Sequence, residues 1–402
     1  MKRKGSSFQI EFAAHPSPIV HNIMVWEKII DPNESTWGLR MLRRGLVGLS
    51  VLFGIVVRTR SLAYRSRFLL RDFRLPTRVI SVGNIAVGGT GKTPLVMLLA
   101  QYFQRAEKRV VIISRGYKRK GKGVVVVSDG RRILVDRAHA GDEPYLFGQK
   151  LSGVPVVVGE SRHLAGWVAI RDFAPDVILV DDGFQHLKLR RDLDIVVIDA
   201  SHPFGNGMLL PGGILREPLS SLRRAHLFCL TRVDQSRQLK QLRDQLRRIN
   251  PRARQIESVH RPKRLRRLGS DEEVSLAYLE WRKVFALSSL GNPHSFEQTL
   301  RDLGAQIVGG ARYRDHHDYT QEELAVSCQQ ARDLGSEAIV TTEKDLVRFP
   351  GCFDPLAAHL GVPVFVLEIE LALVDGQDAF EEVVGAPLRE TGICHRVASA
   401  IV

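Results

Sequence analysis

VISVGNIAVGGTGKTPLVMLLA, Val79 to Ala100, is the most informative stretch of the chain. Its opening apolar residues, Val79–Val82, predict a buried strand, and Leu95–Ala106 reads as a helix. Between them lie Gly88, Gly89, Thr90, Gly91, Lys92 and Thr93. Glycines in that position let successive backbone N–H groups curl around phosphate oxygens, and the helix N-terminus adds its partial positive charge. Lys92 is spaced to reach the β- and γ-phosphates and Thr93 to offer its hydroxyl to Mg²⁺. One position departs from the G-x-x-x-x-G-K-[ST] pattern, since Ala86 stands at the first glycine.

A phosphate loop of this kind needs a carboxylate for the metal at the end of another strand. VILVDDGFQH, Val177 to His186, supplies it: four apolar residues run into Asp181 and Asp182. Two adjacent carboxylates suit Mg²⁺, which is usually held by one or two carboxylates, substrate phosphates and water. An acidic turn that binds nothing is the alternative for this pair taken alone.

Further apolar runs surround these two. Val110–Ile113, Val124–Val127, Val156–Val158, Ile195–Ile198 and His226–Leu230 read as strands, and Arg162–Asp172 reads as a helix between two of them. Near-continuous apolar strands joined by helices are buried on both faces, so an α/β fold is expected, with a mostly parallel sheet covered by helices as in P-loop NTPases. Beyond Ser270, runs at Val284–Leu287, Ala338–Thr341 and Val364–Leu367 alternate with helical stretches at Ser295–Leu303 and Glu322–Leu334, predicting a second, smaller α/β domain. The expected organisation is an extension over 1–36, a basic apolar segment over 37–75, a nucleotide-binding domain over 76–268 and a smaller domain over 269–402. A linker is expected around Pro262.

The 402 residues carry 58 Lys+Arg against 44 Asp+Glu, a net charge of +14, which implies an anionic partner. Residues 1–75 account for +8 and residues 235–268 for +10, leaving the rest mildly acidic. In the first segment Gly45–Val57, GLVGLSVLFGIVV, lacks any charge and is flanked by Arg40, Arg43, Arg44, Arg58, Arg60, Arg65 and Arg67. A helix of that length is shorter than the roughly 30 Å hydrocarbon core of a bilayer, so it either lies at a membrane interface or is an ordinary buried helix. In the second segment LKQLRDQLRRI predicts an amphipathic helix with an arginine-rich outer face. Neither segment interleaves aromatics with its arginines as a base-stacking surface would, so nucleic acid is not an expected partner. Cys229, Cys328, Cys352 and Cys394 are widely spaced and read as free thiols, and the basic N-terminus lacks the apolar stretch of a secretory signal. A cytoplasmic location follows as the expectation.

The loop and the paired aspartates imply a nucleoside triphosphate without fixing the reaction. A partitioning-type ATPase would place a second lysine where Val87 stands. A guanine reader would be N-K-x-D-like, and the nearest candidate, Thr231-Arg232-Val233-Asp234, lacks both the Asn and the Lys.

Further motifs carry a resemblance. GDEP at 141–144, VDDGFQHLKLRRDLDIVVIDA at 180–200, LLPGGILREPLSSLRRA at 209–225, ALSSLGNPHSF at 286–296, RDHHDY at 314–319 and TTEKD at 341–345, together with ISRGYKRK at 113–120 and the phosphate loop, resemble the tetraacyldisaccharide 4′-kinases, the lipid A 4′-kinases of Gram-negative bacteria. The resemblance omits only about the first 36 and last 18 residues. It implies transfer of the ATP γ-phosphate to the 4′-hydroxyl of an acylated glucosamine disaccharide 1-phosphate, by an enzyme bound peripherally to the anionic cytoplasmic face of the inner membrane; a monomer is the expected state. By the same resemblance Asp142 is the proton acceptor, supported by His316, with His317 beside it as the other candidate. Lys92, Asp182 and His186 join the catalytic set, Arg216 binds phosphate oxygens, and Thr93, Asp181, Asp182 and Glu217 bear on Mg²⁺. Ser288, Gly291 and Asn292 are candidates for the nucleotide pocket. The competing reading is a membrane-associated nucleotide switch with no lipid acceptor.

Overall fold

The computed structural model describes residues 37–66, 72–270, 272–350 and 361–386. The expected extension over 1–36, Arg67, the thiols of Cys352 and Cys394, and the C-terminal tail lie outside these residues. Cys229 and Cys328 are free and buried.

The strands are β1 (Arg78–Gly83), β2 (Val110–Ser114), β3 (Val125–Asp129), β4 (Pro155–Val158), β5 (Val177–Asp181), β6 (Leu193–Asp199), β7 (Leu227–Thr231), β8 (Arg254–Arg267), β9 (Glu273–Val274), β10 (Lys283–Ser288), β11 (Gln306–Arg312), β12 (Ala338–Thr342) and β13 (Val364–Asp375). They form one sheet in the order β11-β10-β12-β13-β8-β7-β6-β1-β5-β2-β4-β3, with β9 paired to β8. From β8 to β4 the neighbours run parallel, as they do from β11 to β13. The two parallel halves meet at an antiparallel seam between β13 and β8.

That seam corrects the expected linker. Arg254–Glu257 pairs with β7, and the strand then runs on through Pro262, which lies opposite Ile369, to Arg267 opposite Phe365. Proline cannot donate to a ladder and is tolerated at bulges; the register shifts between Glu368 and Ile369, next to Pro262. The two α/β halves thus share one sheet across residue 268. β8, β9 and β11 escaped sequence reading because their polar and glycine-containing patterns resemble loops.

Covering the sheet are helices α2 (Lys92–Arg105), α3 (Asp142–Lys150), α4 (Arg162–Phe173), α5 (Leu239–Ile249), α6 (Pro293–Asp302), α7 (Gln321–Asp333), α8 (Glu343–Leu346) and α9 (Gln377–Val384), preceded by α1 (Trp37–Arg65). Alternate strand residues explain the two-sided burial. Ile80, Val82, Ile112, Leu179 and Val197 pack with Leu95 and Leu99 of α2 and Phe147 of α3, whereas Val79, Val111, Ile178 and Val180 pack with Ala165 and Ala169 of α4. Each such large aliphatic side chain contributes about 1.5–3 kcal/mol by burial, which makes these strands read as continuous apolar runs.

Of the two readings of its sequence, α1 departs from the buried one, and it is longer than either supposed. It is 29 residues long, about 43 Å at 1.5 Å per residue, so the uncharged core of thirteen is only its middle. It is not a buried helix, since only 11% of the Arg44–Tyr64 window is buried. Val51, Leu52, Ile55 and Val56 are exposed. Its attachment is narrow and polar: the Ser50 hydroxyl donates to the Leu209 carbonyl (2.8 Å) and accepts from the Gly212 N–H (2.8 Å), and Arg60 donates to the Gln185 carbonyl.

Candidate active site

The register of β1 and β5 assembles the donor side. Val82 lies beside Asp181, so the chain leaves β1 for the glycine loop next to the two aspartates. Gly91 caps α2 with φ 93°, a left-handed conformation in which a Cβ would also meet the His260 ring at 2.9 Å. A glycine is required there. The loop is braced from outside itself: the Thr231 hydroxyl donates to the Thr90 carbonyl (2.8 Å), Arg232 donates to the Gly89 carbonyl (2.9 Å) and pairs with Asp199, and Asn84 donates to the Thr90 hydroxyl (3.0 Å). Thr231 and Arg232 belong to the stretch weighed above only as a guanine reader; their work is to hold the loop.

Lys92 reaches Asp182 (3.4 Å), which also accepts from Arg216 (3.0 Å). Burial opposes ionisation of Asp182, but Lys92 and Arg216 hold it at about 2. Asp181 accepts from the Ser114 hydroxyl (2.9 Å), and burial, with Asp182 and Glu143 nearby, pushes it up to about 6. A carboxylate pair with one member so raised lacks compensating positive charge. That fits a divalent cation held by Asp181, Asp182 and the Thr93 hydroxyl, with phosphate oxygens completing its shell.

Two expected donor-side residues sit elsewhere. Glu217 is 3% exposed and accepts from Arg224 (2.7 Å), outside the cleft, so its carboxylate is committed to that ion pair in place of a metal. His186 also lies outside the cleft lining; burial and the neighbouring Arg162, Arg191 and Arg60 push it down to about 4, so it is neutral at pH 7.

The second half of the sheet faces the loop across a cleft of about 1110 Å³. Gly291 rests on it so closely that a Cβ would stand 2.7 Å from the Gly89 nitrogen. Gly291 and Asn292 line the cleft; Ser288, the end of β10, does not.

The third group of residues gathers around α3. Asp142, in its first turn, accepts from Arg137 through Oδ1 (2.9 Å) and from Arg348 through Oδ2 (2.8 Å), and His316 Nδ1 lies 3.0 Å from Oδ2. Burial opposes its charge, yet His316, Arg348 and Arg137 together hold the carboxyl below the usual range. His316 has φ 64° and lines the cleft, whereas His317 turns away to Glu323 (2.8 Å). Next door, Lys344 joins Glu143 (3.1 Å) and Asp315 (3.6 Å). Glu143, Asp315, Lys344 and Arg348 carried no assigned role in the sequence, although the first three sit inside quoted motifs; Arg348, three residues past TTEKD, had no such flag.

A mostly parallel sheet, a glycine loop capping a helix, paired aspartates at the next strand end and, across the cleft, a lining histidine backed by a carboxylate that does not itself line it define a P-loop phosphotransferase. The model of the tetraacyldisaccharide-1-P 4′-kinase family matches residues 42–389. The tetraacyldisaccharide 4′-kinase of Halothermothrix orenii is 40% identical over 81% of this chain and 88% of its own length, and that of Syntrophus aciditrophicus is 40% identical over 82% and 88%. A crystal structure of LpxK from Aquifex aeolicus in complex with ATP superposes with a TM-score of 0.66 at 34% identity, covering 86% of this chain and 98% of that one. The chain belongs to the tetraacyldisaccharide-1-P 4′-kinase family and is a kinase.

Proposed function

We propose that the chain transfers the γ-phosphate of ATP to the 4′-hydroxyl of a tetraacylated glucosamine disaccharide 1-phosphate in lipid A biosynthesis, at the cytoplasmic face of the inner membrane. The observation that carries this reading is one cleft lined by Lys92 and Asp182 on one side and His316 on the other, beside a long exposed apolar helix.

A sugar hydroxyl is a weak nucleophile, so the work is in-line positioning, charge neutralisation and proton removal. The glycine loop and Lys92 hold the triphosphate, and Arg216 leaves Asp182 to meet phosphate oxygens. Thr93, Asp181 and Asp182 would hold Mg²⁺, which would supply positive charge to the phosphates. As the hydroxyl oxygen bonds to the γ-phosphorus, the bond to the bridging oxygen breaks and ADP leaves with the electron pair. The hydroxyl proton passes to Asp142, whose ionised state is sustained by His316. Both Asp142 oxygens are engaged here, so one must be freed. Arg137 is partly exposed and shared with Asp318 (2.6 Å), which makes Oδ1 the side that opens.

α1 gives the acyl chains somewhere to stay. Its exposed apolar face with Arg44, Arg58 and Arg60 suits insertion beside anionic headgroups. Its contacts fall on Leu209, Gly212 and Gln185, within the two motifs that carry Arg216 and Asp182, so docking would bring the cleft to the lipid surface. The test is to incubate the chain with γ-labelled ATP, Mg²⁺ and the lipid disaccharide 1-phosphate in detergent. Labelled, doubly phosphorylated lipid is expected; phosphate release without labelled lipid, from folded protein, contradicts the reading and favours a nucleotide switch.

A further inference from the structure

Arg348 is the largest fully buried side chain among the described residues. A buried guanidinium carries a heavy desolvation cost unless every direction is answered. Nε donates to Asp142 Oδ2 (2.8 Å); Nη1 donates to the Ser289 hydroxyl (2.7 Å) and carbonyl (3.3 Å); Nη2 stands 3.1 Å from His316 Nδ1. Asp345 answers from the other side at 3.9 Å and also accepts from the Ser289 hydroxyl (2.5 Å), the Ser289 N–H (2.8 Å) and the Tyr319 hydroxyl (3.1 Å). Two residues after Ser289, Gly291 packs on Gly88 and Gly89 of the phosphate loop. A single buried cation therefore joins the carboxylate–histidine pair to the segment that touches the triphosphate site.

We propose that Arg348 is a positioning residue that fixes Asp142 and His316 relative to the Ser289–Asn292 loop, so that contacts seating the triphosphate also set the proton acceptor. This rests on the phosphoryl-transfer reading above. The fork geometry matters as well as the charge: a planar guanidinium can bond Asp142, Ser289 and His316 at once, and lysine cannot. Arg348 also competes with Asp142 for His316 Nδ1. When Nη2 donates to it, Nδ1 is an acceptor and its proton sits elsewhere; when Nδ1 carries a proton, it turns to Asp142.

The other charges facing the pair are Arg137 with Asp318 on one side of Asp142, and Glu143, Asp315 and Lys344 on the Nε2 side of His316, where Glu143 lies at 3.6 Å and Asp315 at 4.0 Å. The Tyr117 ring meets the imidazole edge-on at 5.2 Å. None of these is removed with Arg348, so its own contribution is separable.

The experiment compares wild type, Arg348→Met, Arg348→Lys and Ser289→Ala across pH, with ATP varied to saturation and the lipid acceptor saturating. Misplacing a reacting group by about 1 Å costs on the order of 100-fold, and Arg348→Met is expected to lower kcat by that much while KM for ATP stays within about threefold. Losing a positive charge beside Asp142 moves the acid limb of the kcat profile to higher pH. Arg348→Lys should return the limb toward wild type while recovering only part of kcat. Ser289→Ala, which keeps Arg348 paired to Asp142, should lower kcat less, about 10-fold. In parallel, the ¹⁵N resonances of the His316 ring should change in Arg348→Met. Unaltered kcat, limb and ring resonances in folded Arg348→Met overturn the proposal, and should that variant not fold, unaltered kcat and resonances in Ser289→Ala do so. A wild type that transfers nothing to lipid while the ring resonances still respond to Arg348→Met would defeat the acceptor reading alone.

Discussion

The donor and acceptor sides of the cleft are built on different plans. The donor side is a short run of backbone, Gly88 to Thr93, set by one strand and one helix and braced by Thr231 and Arg232. The acceptor side has no such run. Arg137, Asp142, Ser289, His316, Lys344 and Arg348 come from segments far apart in the chain and meet only because the β8–β13 seam joins the two halves of the sheet. Phosphate is bound by N–H groups that any glycine-rich turn can present, whereas a proton acceptor needs a particular carboxylate in a particular field. Damage to the donor side should therefore abolish binding and turnover together, and damage to the acceptor side should separate them.

The largest expected effect is Lys92→Ala, with kcat falling at least about 1000-fold through lost charge neutralisation at the transferring phosphate; steady-state kinetics with circular dichroism to verify folding would check it. Gly291→Ala tests whether the halves must touch. A methyl 2.7 Å from the Gly89 nitrogen has no room, so calorimetric affinity for MgATP should weaken about tenfold while the far-UV circular dichroism of the chain is unchanged. On α1, Val51→Asp, Leu52→Asp and Val56→Asp together should release the chain from anionic vesicles in a sedimentation assay with little change in Tm, because these side chains touch solvent. Unchanged sedimentation would move membrane attachment elsewhere.

The effect confined to acid pH, with none on activity at pH 7, concerns His186. Its folded pKa, about 4, lies below the ordinary 6.5, so the unfolded chain binds the extra proton and stability falls as pH drops from about 6.5 through 4. The full loss is of order 3 kcal/mol. Thermal melts of wild type and His186→Gln over that range should converge toward acid pH, as the variant lacks this term.

The same contrast explains what the sequence made legible. The loop, the aspartate pair and most strands are local patterns, with apolar alternation or glycine spacing confined to a dozen residues. Asp142 and His316 were reached only through motif resemblance, because nothing local distinguishes them from a helix-capping aspartate and a surface histidine. Glu217 shows the limit of that route: its motif is intact, yet Arg224 claims the carboxylate. The strand through Pro262 was hidden because polar and basic residues outnumber its apolar ones, and its arginines are neutralised by partners beyond reach of a local window, such as Arg264 with Glu368 (2.8 Å) and Arg266 with Glu368 (3.5 Å). Much of the basic charge of 235–268 is accordingly structural.

The division of labour across the cleft is tested most directly by Asp142→Asn, measured in single-turnover transfer from γ-labelled ATP to the lipid disaccharide 1-phosphate alongside calorimetric binding of MgATP. MgATP affinity should stay within about threefold of wild type while transfer slows by at least about 100-fold. Transfer at the wild-type rate, or loss of MgATP binding in a folded variant, would contradict that division.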